Sequence, residues 1–332
     1  VVYHYGEAVQ MKLSFLLQNV KTLSGYTDRD IETITCDTRG VTPGSLFVCV
    51  TGTGHGDQTA AKASVAAGAA AVLTQRDAGF ENQILMEDAG EAFALVCAAY
   101  FGHPAQRLKL VGVCGMNGKA AAAYALKEIF DSAGMKTGLT GSLQNNTISD
   151  SFELHRQFAE MVAAGCEYGV MTVSSPVIEQ KIIAGLRFEA AVFTGSAKGD
   201  LNCPDDDKRK AACSKLFEQS ALVVINKDDS AADCFLSSSI HACVTYSVKT
   251  DLSDYTAKNI HMKESGVEYE LVGRGVIGRV RFRQPGAFSV YSSMGAAVCA
   301  AELGIPFRQV IEALAGSTGA VGEPEAEQAI YD

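Results

Sequence analysis

Between Val111 and Ala120 the chain reads V-G-V-C-G-M-N-G-K-A. The mostly apolar run from Leu108 to Val113 predicts a buried strand, and Gly115, Asn117 and Gly118 supply a turn. Lys119 then opens an alanine-rich stretch that predicts a helix to about Gly134. Strand, glycine turn, lysine and helix form the arrangement that aims backbone N–H groups and a helix N-terminus at phosphate oxygens. The position after the lysine ordinarily carries a hydroxyl that binds Mg²⁺. Here it is Ala120, followed by Ala121. The residues alone allow two readings: a phosphate site without its metal hydroxyl, or a structural turn.

A second block runs from Cys36 to Val48. Pro43-Gly44 makes a turn into a strand at 45–50, while Asp37, Thr38 and Arg39 could cap, pair locally or face a ligand. By themselves these three favour the local roles.

These blocks need elements to hold them. Strands near 45–50 and 70–73 and helices near 60–67 and 89–101 predict a small α/β domain over 11–106, with His103-Pro104 and Gln106 as a linker. Residues 1–10 read as tag or upstream sequence before Met11. Beyond 107, strands near 109–113, 168–173, 190–194 and 221–225 alternate with helical patterns at 119–134, 152–164, 177–185 and 208–219. That alternation predicts a mostly parallel sheet with helices on both faces. From about 243 to 283 a period of two takes over, around Tyr269-Glu-Leu-Val and Val280-Arg-Phe-Arg, and predicts antiparallel strands. Helical patterns follow at 291–303 and 308–315. The expected fold class is α/β in two domains, 11–106 and 107–332.

Composition narrows the function classes. The chain has 332 residues, 47% hydrophobic and 20% charged, with a net charge of −10 from 28 basic and 38 acidic residues. No basic cluster stands out, which argues against a nucleic-acid partner. No apolar run is long enough for a transmembrane helix, so no membrane partner is expected. The 10 cysteines carry no CxxC pair and no zinc spacing, so they are read as reduced thiols of a cytoplasmic protein.

Taken together, the motifs resemble those of the Mur ligases, specifically the synthetases that add the third peptide residue to UDP-N-acetylmuramoyl-L-Ala-D-Glu. Asp37 to Cys49 matches D-S-R…P-G-D-L-F-V-A, and Gly112 to Ala121 matches G-V-T-G-T-N-G-K-T-T. Asn146 to Ser149 matches N-T-T-P, and Thr172 to Ile182 matches E-V-S-S-H-A-L-x-Q-x-R. Phe193 to Pro204 matches F-T-N-L-x-x-D-H-L-D-Y-H, and Ala211 to Phe217 matches A-A-K-x-x-L-F. Val224 to Asp229 matches V-I-N-x-D-D, and Phe288 to Ser292 matches F-N-V-Y-N. The order and spacing hold from Met11 onward.

The resemblance implies an N-terminal UDP-sugar-type domain and a central P-loop ATPase-like domain in peptidoglycan precursor metabolism. It makes ATP a candidate ligand through Gly115, Asn117, Gly118 and Lys119, with Asn226, Asp228 and Asp229 where the family contacts the nucleoside. It places Asp37, Thr38, Arg39, Thr147, Ser174 and Gln180 where the family meets the UDP-sugar peptide. Turn and cap roles remain open for these positions. The family's third domain, which holds the incoming amino acid, is expected to lie outside this sequence.

The departures are chemical. The magnesium-binding hydroxyl and glutamate of the family align with Ala120 and Thr172, its histidine with Pro176, and the Asp-His of D-H-L-D with Gly199-Asp200. The lysine carbamylated in the family aligns with Cys213, with Lys215 two positions on. Its UDP-sugar arginine aligns with Ile182, beside Lys181. Mg²⁺ requires near-octahedral oxygen ligands, which Ala120, Pro176 and Cys213 do not offer, so no intact metal site and no intact catalytic set are expected. Each missing oxyanion-type interaction typically costs about 3–4 kcal/mol of barrier. Three functions are expected in turn: a pseudoenzyme that binds nucleotide or UDP-muramoyl peptide or acts as a scaffold for cell-wall synthesis proteins; an active amide ligase that uses Asp200, Asp205 or a modified Lys215; or a structural partner that binds no small molecule and dimerises through an exposed face.

Overall fold

The computed structural model describes residues 10–50, 58–141, 150–195, 204–238 and 241–317, with the backbone alone at 204–209 and 238. In chain order the first elements are β1 (Met11–Lys12), α1 (Leu13–Leu16), β2 (Asp30–Ile31), β3 (Thr33–Thr35), β4 (Ser45–Val48), α2 (Gln58–Ala66), β5 (Ala71–Thr74), β6 (Gln83–Leu85) and α3 (Ala89–Tyr100). Next come β7 (Lys109–Cys114), α4 (Lys119–Ser132), β8 (Thr137–Thr140), α5 (Ser151–Ala163), β9 (Tyr168–Thr172), α6 (Ser175–Glu179), β10 (Phe188–Phe193), α7 (Pro204–Glu218), β11 (Ser220–Asn226) and α8 (Ala232–Ser238). The last are β12 (Ala242–Ser247), β13 (Tyr255–Lys263), β14 (Gly266–Gly273), β15 (Val276–Phe282), α9 (Ala287–Glu302) and α10 (Phe307–Gly316).

Contacts group the chain into two units. The first takes residues up to Leu108 together with 148–165 and 175–187; the second takes 109–147, 166–174 and 188–332. Helices α5 and α6 therefore pack in the first unit, whereas the sequence reading grouped everything after 107 together.

In the first unit, β3-β4-β5-β6 form a parallel sheet and β1 pairs antiparallel with β2. Strand β4 is buried along its whole length, which explains why its residues do not alternate. Helices α3 and α5 share one start signal. Asp88 accepts a hydrogen bond from Glu91 N and Asp150 one from Glu153 N, each at 2.9 Å. Both are D-x-x-E segments, in which the capping carboxylate satisfies an N–H with no helical partner. The helix expected at 177–185 is shorter: after Glu179, Lys181 adopts a left-handed φ of 58° and ends it.

In the second unit, nine strands run in the order β15-β14-β13-β12-β11-β10-β7-β9-β8. From β8 through β13 all neighbours are parallel, and β13, β14 and β15 form an antiparallel meander. β12 thus corrects the expectation of antiparallel pairing from 243 onward, since its Ala242 pairs in parallel with Leu222. Alternate residues of β7 serve two layers. Val111 and Val113 belong to the core shared with Ala122, Leu126 and Ile129 of α4 and Met294 and Ala297 of α9. Gly112 faces the other layer, where Leu216 of α7 would lie 2.8 Å from an added Cβ. Phe193, Phe217 and Phe235 meet edge-to-face in that layer. Burial on both faces explains the continuous apolar reading of β7 and β10.

Candidate phosphate site

Strand β7 lies between β9 and β10, where the order of connection reverses, and such a switch point opens a crevice at the strands' carboxyl ends. The Gly115–Lys119 turn occupies that point. Gly115 has φ +127° and Gly118 φ +78°, and both are crowded. A Cβ at Gly115 would overlap Thr194 Oγ1 and lie 2.8 Å from Gly195 O; one at Gly118 would overlap Ser292 Oγ. Met116 N donates to Gly195 O at 2.7 Å, and Thr194 Oγ1 donates to Asn117 O at 2.8 Å. The chain after β10 thus holds the loop from one side.

Unlike α3 and α5, α4 begins without a side-chain cap, its N-cap being left-handed Gly118. The first N–H groups of a helix have no partner within it and carry the positive end of its dipole, so this start is suited to an anion. Lys119 Nζ donates to Gly115 O at 2.8 Å and Met116 O at 3.3 Å. An ammonium has three protons, which leaves one for a ligand oxygen beyond these two bonds.

Asn226 closes the row at the end of β11. Its Nδ2 donates to Thr194 O at 3.0 Å, and its Oδ1 accepts from Asp228 N at 3.0 Å. Asp228 is engaged by the protein: Ser247 Oγ donates to it at 2.5 Å, Val248 N at 2.8 Å and Tyr291 OH at 3.1 Å. Burial and then the Asp228 carboxylate push the Tyr291 phenol up from its ordinary range. Asp229 accepts from Ala231 N at 2.9 Å, at the start of α8. The structure therefore gives Asp228 a bracing role, joining β11, β12 and α9, that its place in the sequence does not disclose. Asp228→Ala strands two hydroxyls and an amide and is expected to cost about 2–3 kcal/mol, read as a lower urea midpoint at unchanged slope.

The positions where oxygen ligands were sought are accounted for as follows. Ala120 sits in the first turn of α4, packed against the main core. Thr172 is 3% exposed at the end of β9, and a Cβ on Gly141 would overlap its Oγ1. Cys213 is buried in α7, and burial and then Cys213 push the nearby Cys114 thiol up. Lys215 is exposed, two residues or about 200° round the helix from Cys213. It therefore projects away from the buried face that Cys213 occupies. Asp200 and Thr147 lie outside the described residues, as does the side chain of Asp205.

In the first unit, Asp37 caps the short turn Thr38–Gly40 by accepting from Arg39 N at 2.9 Å, and the Arg39 guanidinium folds back onto the same carboxylate at 2.5 Å. Asp37, Thr38 and Arg39 are thus together on one turn. Gln180 is exposed just after α6, and its backbone N donates to Pro176 O at 3.0 Å. Pro176 is exposed, Ile182 is buried, and the neighbouring Lys181 pairs with Asp88 at 2.5 Å. Burial would raise the Asp88 carboxyl, but the Glu91 N–H and the Lys181 ammonium outweigh it and hold it below the ordinary carboxylate range. Ser174, half-buried, belongs to the second unit.

The Mur ligase middle domain matches residues 113–300, more than half of the chain. The UDP-N-acetylmuramoyl-L-alanyl-D-glutamate–2,6-diaminopimelate ligase of Bacillus licheniformis is 31% identical over 97% of this chain and 70% of its own length. The chain belongs to the Mur ligase family. The Caldanaerobacter subterraneus ligase of the same name is 32% identical, over 93% of this chain and 67% of its own. A solved structure of a ligase so named superposes with a TM-score of 0.82 at 20% identity, covering 95% of this chain and 68% of that one. A methyl at 120, a buried thiol at 213 and a crowded hydroxyl at 172 do not fit a hard cation that takes oxygen ligands in octahedral geometry. Among the described residues, no three His, Cys, Asp or Glu gather as a metal set. Likewise, no helix among them is long and apolar enough to cross a membrane.

Proposed function

We propose that this chain binds a nucleotide through its phosphates, independently of magnesium, and does not itself catalyse amide ligation, as a cytoplasmic pseudoenzyme of peptidoglycan precursor metabolism. One observation carries the reading: the loop from Gly115 to Lys119 keeps its backbone geometry and lysine, while Ala120 and Cys213 replace the oxygen and nitrogen chemistry around it. Phosphate oxygens are met by uncapped N–H groups of α4 and one ammonium, which discriminate charge but do not need a metal. Transfer of a phosphoryl group needs charge neutralisation at several oxygens at once, and the loss of several contributors is not additive but severe. Relatives named as ligases of UDP-N-acetylmuramoyl-L-alanyl-D-glutamate make that UDP-sugar peptide the second candidate ligand, with cell-wall synthesis proteins as candidate partners.

A calorimetric titration with ATP tests the proposal. The affinity is expected to change by less than about threefold when Mg²⁺ is removed, whereas a metal-bridged site would lose far more. Lys119→Met removes a charge-assisted bond and is expected to weaken binding roughly 10- to 150-fold. Undetectable ATP binding in both conditions overturns the reading. Tight binding that requires Mg²⁺, with amino-acid-dependent ADP release, would favour the second reading, an active amide ligase. That alternative is supported by the intact Lys119 and by the 31% identity to enzymes named as ligases.

A further inference from the structure

Cys114 ends β7, directly before the phosphate loop, and Cys213 lies in the second half of α7. The packing register brings them together. Leu216 meets Gly112 on the face of β7 opposite α4. α7 links the parallel strands β10 and β11 and so runs against them. Three residues back along the helix and two forward along the strand are shifts of about 4.5 and 6.6 Å on the same two faces. They lead from Leu216 and Gly112 to Cys213 and Cys114. This register makes the two thiols neighbours, close enough for Cys213 to add to burial in raising the Cys114 thiol, and both are free. Cys114 is 1% exposed and Cys213 8%.

We propose that Cys114 and Cys213 are a redox modification site, closed by a peroxide into a disulfide that ties α7 to the root of the phosphate loop. Cys213, the more accessible sulfur, attacks one oxygen of hydrogen peroxide, forming a sulfenic acid and releasing water. The Cys114 sulfur then displaces hydroxide from that sulfenic sulfur and gives up its proton, which makes the second water. Two thiols lose two electrons, the peroxide gains them, and one S–S bond forms. A dithiol reductant reverses the step by exchange. Burial, followed by the Cys213 contact, holds the Cys114 thiol well above its ordinary range. The thiolate is the reactive form, so closure is slow at neutral pH and accelerates as pH rises. None of this depends on nucleotide binding.

The test treats the full chain with hydrogen peroxide, alkylates remaining thiols in denaturant and maps peptides without reduction. The expected result is one linked pair joining Cys114 to Cys213, at least tenfold above any other pair and abolished by dithiothreitol. Oxidised protein should melt several degrees higher than reduced protein, because the bridge closes a long loop in the unfolded chain. Cys213→Ser should abolish both the link and the shift, and Cys114→Ser should do the same if the first variant does not fold. Recovery of both cysteines as alkylated thiols, or as over-oxidised acids without a link, overturns the proposal.

Discussion

Acidification is expected to destabilise the first unit through His155. This side chain on α5 is fully buried, and neither ring nitrogen has a hydrogen-bond partner. The Phe158 ring meets it edge-on at 6.0 Å between centroids. Burial, aided by the charge of His103, pushes its pKa down from 6.5 to about 3. Above 6.5 the imidazole is neutral in both folded and unfolded chains and contributes no pH dependence. Below 6.5 the unfolded chain takes up a proton that the folded chain refuses, so stability falls with pH until the folded pKa is reached. The slope is about 1.4 kcal/mol per unit, a loss of roughly 2 kcal/mol by about pH 5. Carboxylates held low in the fold, such as Glu153 and Asp254, add their own losses at lower pH. His155→Phe separates the contributions, since it removes the titration without stranding any hydrogen bond. Urea denaturation of both proteins at about pH 7 and pH 5 should show the variant losing about 2 kcal/mol less between them. Equal losses would mean that His155 finds a proton acceptor or water in the folded protein.

Gly115→Ala is expected to be the most damaging small substitution in the second unit. Its φ of +127° disfavours any side chain, at a cost of roughly 1–3 kcal/mol. The added methyl would also overlap Thr194 Oγ1 and press on the Gly195 carbonyl at 2.8 Å. That oxygen accepts the Met116 N–H, so the loop cannot yield without losing the bond. Together these predict about 3–5 kcal/mol of destabilisation and loss of phosphate binding. Gly134→Ala provides the control, because Gly134 also has a positive φ, +83°, yet nothing lies within 4 Å of the added atom. It should cost only the backbone share, about 1–2 kcal/mol. Similar losses at both positions in denaturant melts would show that crowding at the loop is relieved easily.

The strand, glycine turn and helix around Lys119 were legible in the sequence because their parts are local: an apolar strand, two glycines, a lysine and an alanine-rich helix follow one another. The substitution of Ala120 was equally visible, and its meaning came from chemistry rather than from geometry. The partners that matter most were not legible. Asp228 meets Ser247, Val248 and Tyr291, which are 19, 20 and 63 residues away. No period or propensity connects them. Cys114 and Cys213 meet only because α7 packs against β7 in one register. The sequence also misjudged β12: Ala242–Ser247 reads like the strands after it, and only its hydrogen bonds to β11 make it parallel. Helices α5 and α6 interrupt the strand series, and nothing in their own residues shows which core they join.

That interleaving has a consequence for how the protein is made. The chain changes unit after Leu108, Thr147, Gly165, Ser174 and Arg187. A ribosome that has released only the first hundred or so residues has therefore not released a complete domain. Helix α3 must wait for its partner α5, and the unit for residues up to Arg187, by which time three strands of the second unit, β7, β8 and β9, are already outside. Long-range closure of this kind slows folding and lengthens the exposure of unpaired strands. Neither unit can be cut out as one continuous piece.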